Sequence, residues 1–189
     1  MSDLKSCTWP GTDDLMKKYH DEEWGTPVHD DKKHFEFLVL DTFQAGLSWK
    51  TILYRREHFR KAFANFDANK VAKFTEKDVE KLLQNEGIIR NKLKVRGTIK
   101  NAQLFLQVQK EYGSFDKYIW QFTNYKTLNA KRKSSGEIPP ISAESDAMSK
   151  ALKKLGFTFV GSTICYAYMQ AAGMVNDHLV SCYRHKQCK

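Results

Sequence analysis

An all-α fold is predicted for this chain on three observations. Apolar residues recur at three- and four-residue intervals through most of its length, the spacing of buried helix faces. No segment shows a convincing apolar–polar alternation of the kind that marks a half-buried strand. A glycine-bounded turn, Gly156 to Gly161, joins two of the helical segments. With 189 residues and 41% hydrophobic content, the chain can bury a sizeable core, and one domain over residues 1–189, with two small helical lobes as the alternative arrangement, is expected.

Residues 7–30 are rich in Gly, Pro, Asp and aromatics and are expected to form loop with one helical turn near Leu15 to Tyr19. A helix begins at Asp31, with Phe35, Leu38, Val39 and Ala45 on one face. Phe37 and Leu40 make it apolar nearly all round, so it should be buried. Asp41 interrupts that run, and a carboxylate there is costly unless paired or used. Gly46 can bend or end the helix and Ser48 can cap the next, whose apolar side is Trp49, Ile52, Leu53, Phe59 and Phe63. Thr75-Glu-Lys-Asp78 has the form of a capping box, followed by Val79, Leu82 and Leu83, with Gly87 as the stop.

A longer helix is predicted over 88–111, with Ile88, Val95, Ile99, Ala102 and Leu106 in one stripe. Its first half carries Arg90, Lys92, Lys94, Arg96 and Lys100 and no acid, which suits either a solvated face or a phosphate-facing one. Ser114 can cap a helix containing Phe115, Tyr118, Ile119 and Phe122. Residues 123–142, polar with a Pro-Pro pair and a Lys-Arg-Lys run, are expected to be a surface loop within reach of DNA.

Met148, Ala151, Leu152 and Leu155 mark a helix that Gly156 can terminate, and a further helix opens at Ser162 or Thr163. Helix, glycine hairpin, helix over about 145–173 is the outline of a helix-hairpin-helix element, which offers backbone amides to a phosphate. A plain helical hairpin in an all-α core fits the pattern equally. The net charge of +9 favours a polyanionic partner. The chain shows no membrane-length apolar run and no apolar signal core, so a cytoplasmic location is expected.

Of the four cysteines, Cys165 lies on an apolar helix face and is expected in the core, and Cys188 is expected to be exposed. His178-x3-Cys182 is half of a metal site, with its imidazole and thiolate one turn apart if the segment is helical; Cys7 and His20 could supply the other half. Two unrelated Cys/His pairs are the alternative. His29, His34, His58 and His185 are expected at the surface.

These features together resemble the 3-methyladenine DNA glycosylase I (Tag) family of helix-hairpin-helix DNA glycosylases. The resemblance runs from Cys7 to Cys182. It is carried by Tyr19-His-Asp-Glu-Glu-Trp24-Gly25, Gln44-Ala-Gly-Leu-Ser-Trp49, Gly87-Ile-Ile-Arg90 with Lys94 downstream, Ser145-Asp-Ala-Met-Ser-Lys-Ala-Leu-Lys-Lys154, Gly156-Phe-Thr-Phe-Val-Gly161 and Val175-Asn-Asp-His178. It implies an all-α helix-hairpin-helix glycosylase fold whose termini are clipped by structural zinc on Cys7, His20, His178 and Cys182, and a monomeric enzyme without a nucleotide cofactor. It also implies excision of 3-methyladenine from alkylated double-stranded DNA. Tyr19 and Trp49 match the family's base-stacking positions and Trp9 another aromatic near its pocket. Gly156, Phe159, Gly161 and Ser162 of the hairpin, with Arg90 and Lys94, are the expected DNA contacts.

Asp41 is the expected catalytic and base-contacting acid, and the chain departs from the family there. The resemblance implies a glutamate in Leu-Glu-Gly, where this chain has Leu40-Asp41-Thr42. A side chain one methylene shorter puts rate and base range in question and leaves open a second reading, a zinc-stabilised damage-binding protein with little turnover. Related helix-hairpin-helix glycosylases carry an aspartate in a Val-Asp-x-His pattern where this chain has Asn176, which cannot act as a base. Direct hydrolysis by water is therefore expected, with Asp177 a less favoured catalyst.

Overall fold

The computed structural model describes residues 5–188, so the outer limits of the expected domain lie outside the described residues. The described residues form ten α-helices: α1 Asp14–Glu22, α2 Asp31–Gln44, α3 Trp49–Leu53, α4 Arg56–Ala62, α5 Ala68–Val71, α6 Glu76–Gln84, α7 Lys92–Tyr112, α8 Phe115–Trp120, α9 Ala143–Leu155 and α10 Ser162–Ala171. Among the described residues, no helix is long and apolar enough to cross a membrane.

Helix α2 is the axis of the packing. The Asp30 carboxylate accepts from the Lys33 amide at 2.8 Å and starts it, and every residue from His34 to Phe43 is buried. It packs against α3, α4, α7, α8 and α10, as its all-round apolar surface requires. Ser48, Ser114 and the Thr75/Asp78 capping box start α3, α8 and α6 as expected. Helix α7 starts later than predicted. Asn91 caps it by accepting from the Lys94 amide at 3.1 Å, which leaves Ile88 buried in the preceding turn.

The helix-hairpin-helix element is present as α9, residues 156–161 and α10. Gly156 takes φ 97°, and the chain turns back through Phe157 N–H to Leu152 O at 3.0 Å, where a β-carbon would be strained. Gly161 is extended, with φ −63°. The left-handed residue at the tip is Phe159, at φ 57°. Phe157 and Val160 are buried and anchor the hairpin.

Other expectations are corrected by long-range contacts. The N-terminal helix α1 spans nine residues rather than one turn, because the Asp13 carboxylate caps Met16 N–H at 3.0 Å and Tyr19 and His20 find burial. Leu128–Asn129 (β1) and Val175–Asn176 (β2) form a two-residue parallel pair. The segment His178–Cys182 is a turn closed by Cys182 N–H to Leu179 O, not a helix. Cys188 is buried, and so is His34, whose two ring nitrogens meet Tyr168 Oη at 2.6 Å and Asp116 Oδ1 at 3.0 Å. A histidine satisfied on both sides can be buried within an apolar helix face.

Candidate active site and metal centre

The last turn of α1 and the turn before the C-terminus bring four ligand groups together. His20 comes from α1, Cys7 from the segment before it, and His178 and Cys182 from the segment after β2. All four are buried, and their ligand atoms lie within 4.8 Å of one another. His178 Nδ1 is 3.1 Å from His20 Nε2, 3.7 Å from Cys182 Sγ and 3.8 Å from Cys7 Sγ; Cys182 Sγ is 3.6 Å from His20 Nε2. A tetrahedron with arms of about 2.0–2.3 Å has edges of roughly 3.3–3.8 Å, so the cluster is sized for one metal ion.

The outer groups agree. His20 Nδ1 faces Asp21 Oδ1 at 2.7 Å and His178 Nε2 faces Trp24 O at 2.8 Å, which turns each remaining nitrogen inward. Burial pushes the Cys7 thiol up to about 12 and the His178 imidazole down to about 4. The thiols of such a site lose their protons when a cation binds, leaving thiolates as ligands. The quartet can coordinate a metal ion, and it ties the N-terminal segment to the C-terminal one.

Immediately beside it lies a cavity of about 380 Å³. Tyr19, adjacent to the ligand His20 on α1, packs on Trp49 with ring centroids 5.0 Å apart. Trp9 packs edge-on against both His20 and Trp24, so one aromatic wall serves the cavity and the metal cluster. Asp41 and Gln44, one turn apart on α2, enter from another side, Gln170 from α10, and Ser135 and Ile138 from the 130–142 loop.

Four buried atoms of this wall have no hydrogen-bond partner among the described residues: Trp9 Nε1, Asp41 Oδ2, Gln44 Oε1 and Trp49 Nε1. Buried polar atoms are ordinarily paired, so their convergence marks a place for a polar, flat ligand. Desolvation holds the Asp41 carboxyl well above its usual range, with no cation of the chain beside it to offset the cost. A larger groove of about 710 Å³ lies beyond Tyr19, but Glu23 and Glu36 in that region are already tied to Arg56 at 2.6–2.7 Å.

Trp9, Tyr19, Asp41 and Trp49, named above as base-contacting residues, all line this one cavity. Gln44, Gln170, Ser135 and Ile138 were not anticipated. Gln44 had a signal, being three residues after Asp41 on a helix. Asn176 is fully buried and donates to His185 O, and Asp177 does not line the cavity.

The expected DNA contacts separate into two groups. Hairpin residues Gly156, Phe159, Gly161 and Ser162 sit together at the junction of α9 and α10. Phe159 borders a shallow groove with Arg96 and Lys100 of α7. Arg90 is half exposed near Glu86, and Glu76 pairs with Arg96 at 2.6 Å, so acids from the preceding region do balance part of the α7 charge. Lys94 is turned inward. Its Nζ donates to Phe43 O at 2.8 Å and to Ala45 O, which satisfies carbonyls at the end of α2 instead of a surface charge.

Residues 9–185 match the family model for methyladenine glycosylases. The chain belongs to the methyladenine glycosylase family. It is 48% identical to DNA-3-methyladenine glycosylase 1 of Escherichia coli K12 over 179 residues, which covers 95% of this chain and 96% of that protein. Among solved structures, a 3-methyladenine DNA glycosylase I (TAG) superposes with a TM-score of 0.92 at 45% identity, over 95% of this chain and 98% of the other. The Staphylococcus aureus glycosylase solved to explain 3-methyladenine recognition gives 0.92 at 32% identity, over 95% and 96% of the two chains.

Proposed function

We propose that this methyladenine glycosylase flips 3-methyladenine out of alkylated double-stranded DNA and releases it by hydrolysis. The observation that carries the reading is the cavity itself, in which two aromatic faces and one buried, unpartnered carboxyl oxygen converge. An adenine methylated at N3 in DNA is cationic. Electron-rich ring faces favour a cation over a neutral purine, and a low-dielectric carboxylate favours it further. The raised affinity of Asp41 for its proton fits this pairing: entry of a cationic base favours the ionised acid, and a neutral base gains nothing comparable.

The alkylated base is already a good leaving group. The bond between its N9 and C1′ breaks with the electron pair going to the base, water oxygen bonds to C1′, and water loses a proton to solvent. Stacking by Tyr19 and Trp49 recovers the cost of unstacking, a few kcal/mol and least for a damaged base. Asp41 contributes by holding the positive base rather than by forming a covalent bond.

Cys7, His20, His178 and Cys182 would hold zinc, the ion their two thiolates and two imidazoles suit best. A closed four-ligand set supplies folding energy, not an open coordination position. Monomeric, single-domain action in the cytoplasm, with the 156–162 hairpin and Arg90 toward the phosphates, completes the reading.

The short Asp41 side chain favours one alternative, a protein that binds alkylation damage without turnover. The experiment is to incubate the chain with methylated DNA and identify released bases by chromatography, beside Asp41→Glu. Release of 3-methyladenine by the parent, with 7-methylguanine left in the DNA, is expected. Release by Asp41→Glu alone would mean that the shorter acid has retired the enzyme. Silence from both, with fold and metal intact, would favour the binding protein.

A further inference from the structure

The 130–142 loop reaches the cavity through a small set of contacts that the sequence did not single out. Its tip is a 3-10 turn, Ser135–Glu137, stiffened from within. Glu137 accepts from the Lys133 amide at 2.8 Å, and Ile138 N–H bonds Ser135 O at 3.2 Å. Ser135 and Ile138 of this tip line the same cavity as Trp9, Tyr19, Asp41 and Trp49. The tip is therefore a roof, and its position depends on what holds its base.

That hold is Arg132. Its carbonyl accepts from Val180 N–H at 2.8 Å and its Nε donates to Asp177 Oδ1 at 3.1 Å. The Asp177 carboxylate is fully buried. Its other oxygen accepts from Tyr166 Oη at 2.7 Å and from Gln170 Nε2 at 2.9 Å. Gln170 is itself a cavity residue. One carboxylate thus fixes a wall residue on α10 and, through Arg132, the roof. The β1–β2 pair sets the two segments in register just before both meet.

We propose that Arg132 is a positioning residue for base selection, which with Asp177 clasps the 133–141 loop as the roof of the base cavity. The proposal rests on the excision reading above. Arg132 touches neither the cavity nor the reacting atoms, so its effect is exerted through Ser135 and Ile138. A roof held in place limits the height of the slot and excludes water from the flipped base. A displaced roof leaves the aromatic wall and Asp41 in place but lets the base move, and a shift of about 1 Å can cost on the order of 100-fold in rate.

The test compares the full chain with Arg132→Ala and Arg132→Lys. Amide exchange is followed over 133–141. Affinity for free 3-methyladenine is read from tryptophan fluorescence, since Trp9 and Trp49 line the cavity. Single-turnover release from methylated duplex is measured at saturating enzyme. For Arg132→Ala the expected result is faster exchange over 133–141, with free-base affinity and saturating release rate each lowered roughly tenfold or more. Arg132→Lys should regain part of both, because its ammonium can still reach a buried carboxylate.

Parental exchange and parental free-base affinity in Arg132→Ala would overturn the clasp. So would a loss confined to duplex affinity, which would make Arg132 a phosphate contact. A fall in melting temperature with free-base affinity of the folded protein unchanged would also overturn it. Failure of the parent to release any base would count against the excision reading instead, and the exchange and free-base measurements would still decide the clasp.

Discussion

Two neighbouring clusters, the metal quartet and the base cavity, share one stretch of chain and obey opposite rules. His20 and Tyr19 are adjacent on α1, yet both ring nitrogens of His20 and of His178 have close polar neighbours, whereas the wall that Tyr19 joins contains four buried atoms without a partner. A closed, mutually satisfied cluster stabilises a fold, because its groups have nothing left to offer. An open set in a dry cavity costs stability and is retained where a ligand supplies the missing partners. The contrast teaches that burial alone does not separate structural from functional residues; the remaining bonding capacity does.

The largest effect should come from breaking the closed cluster. Cys182→Ser should lose bound zinc and lower the melting temperature by on the order of 10 °C or more, as removal of a structural metal site does. Zinc content and thermal unfolding check this together. Unchanged folding with lost activity would reverse the assignment and make the metal catalytic.

Asp41→Asn applies the opposite stroke. It keeps the shape of the cavity and removes the charge that can meet a cationic base, so release of 3-methyladenine should fall by about 100-fold or more. Stability should not fall with it. The Asp41 carboxyl binds its proton more tightly folded than unfolded, where its ordinary value is 3.8. Stability is therefore lost as pH rises from about that value toward the folded pKa, and Asp41→Asn should remove this part of the slope. Chemical denaturation at pH 5 and pH 8 measures it, and an identical slope in both proteins would show that Asp41 is not held protonated.

Trp49→Ala comes next. Loss of one stacking face is worth about 1–3 kcal/mol per base, which is roughly 5- to 150-fold in affinity for the flipped base. Free-base titration should report the loss, and a parental value would move recognition to the Trp9 side of the cavity.

How much of this contrast was legible in the sequence follows from the range of the contacts. Helices α2, α6, α9 and α10 are written in local periodicity and caps, such as Thr75/Asp78 and Gly156. The quartet was visible as residue types, but joining Cys7–His20 to His178–Cys182 across 171 positions was one of two open readings until the family resemblance favoured it. Asp41 stood out because an acid in an apolar helix has no local excuse. His34 and Cys188 were misplaced, since their burial depends on Tyr168, Asp116 and Thr26, none of them near in sequence. Lys94 looked like a phosphate ligand because nothing local shows that the end of α2 needs a donor. The roof of the cavity was illegible for the same reason: Ser135 and Ile138 are polar-loop residues until Arg132 meets Asp177.

The smallest effect concerns His34, two turns before Asp41 on the same buried helix. Its imidazole is satisfied at both nitrogens, by Tyr168 and Asp116, so it belongs with the closed cluster in kind. Burial holds its pKa below the ordinary 6.5, and the hydrogen bond to Asp116 only partly opposes that. The unfolded chain therefore takes up this proton first, and stability present above about pH 6.5 is lost as pH falls toward the folded pKa. The slope is opposite in sign to that of Asp41. His34→Gln keeps hydrogen-bonding capacity without a titrating ring and should flatten the slope between pH 7 and pH 5 while leaving base release at neutral pH within a few-fold of the parent. Measured beside Asp41→Asn, it separates a paired from an unpaired buried ionisable group on a single helix. If His34→Gln instead abolished base release at parental stability, the chain from Asp116 through His34 to Tyr168 would belong to the cavity rather than to the scaffold.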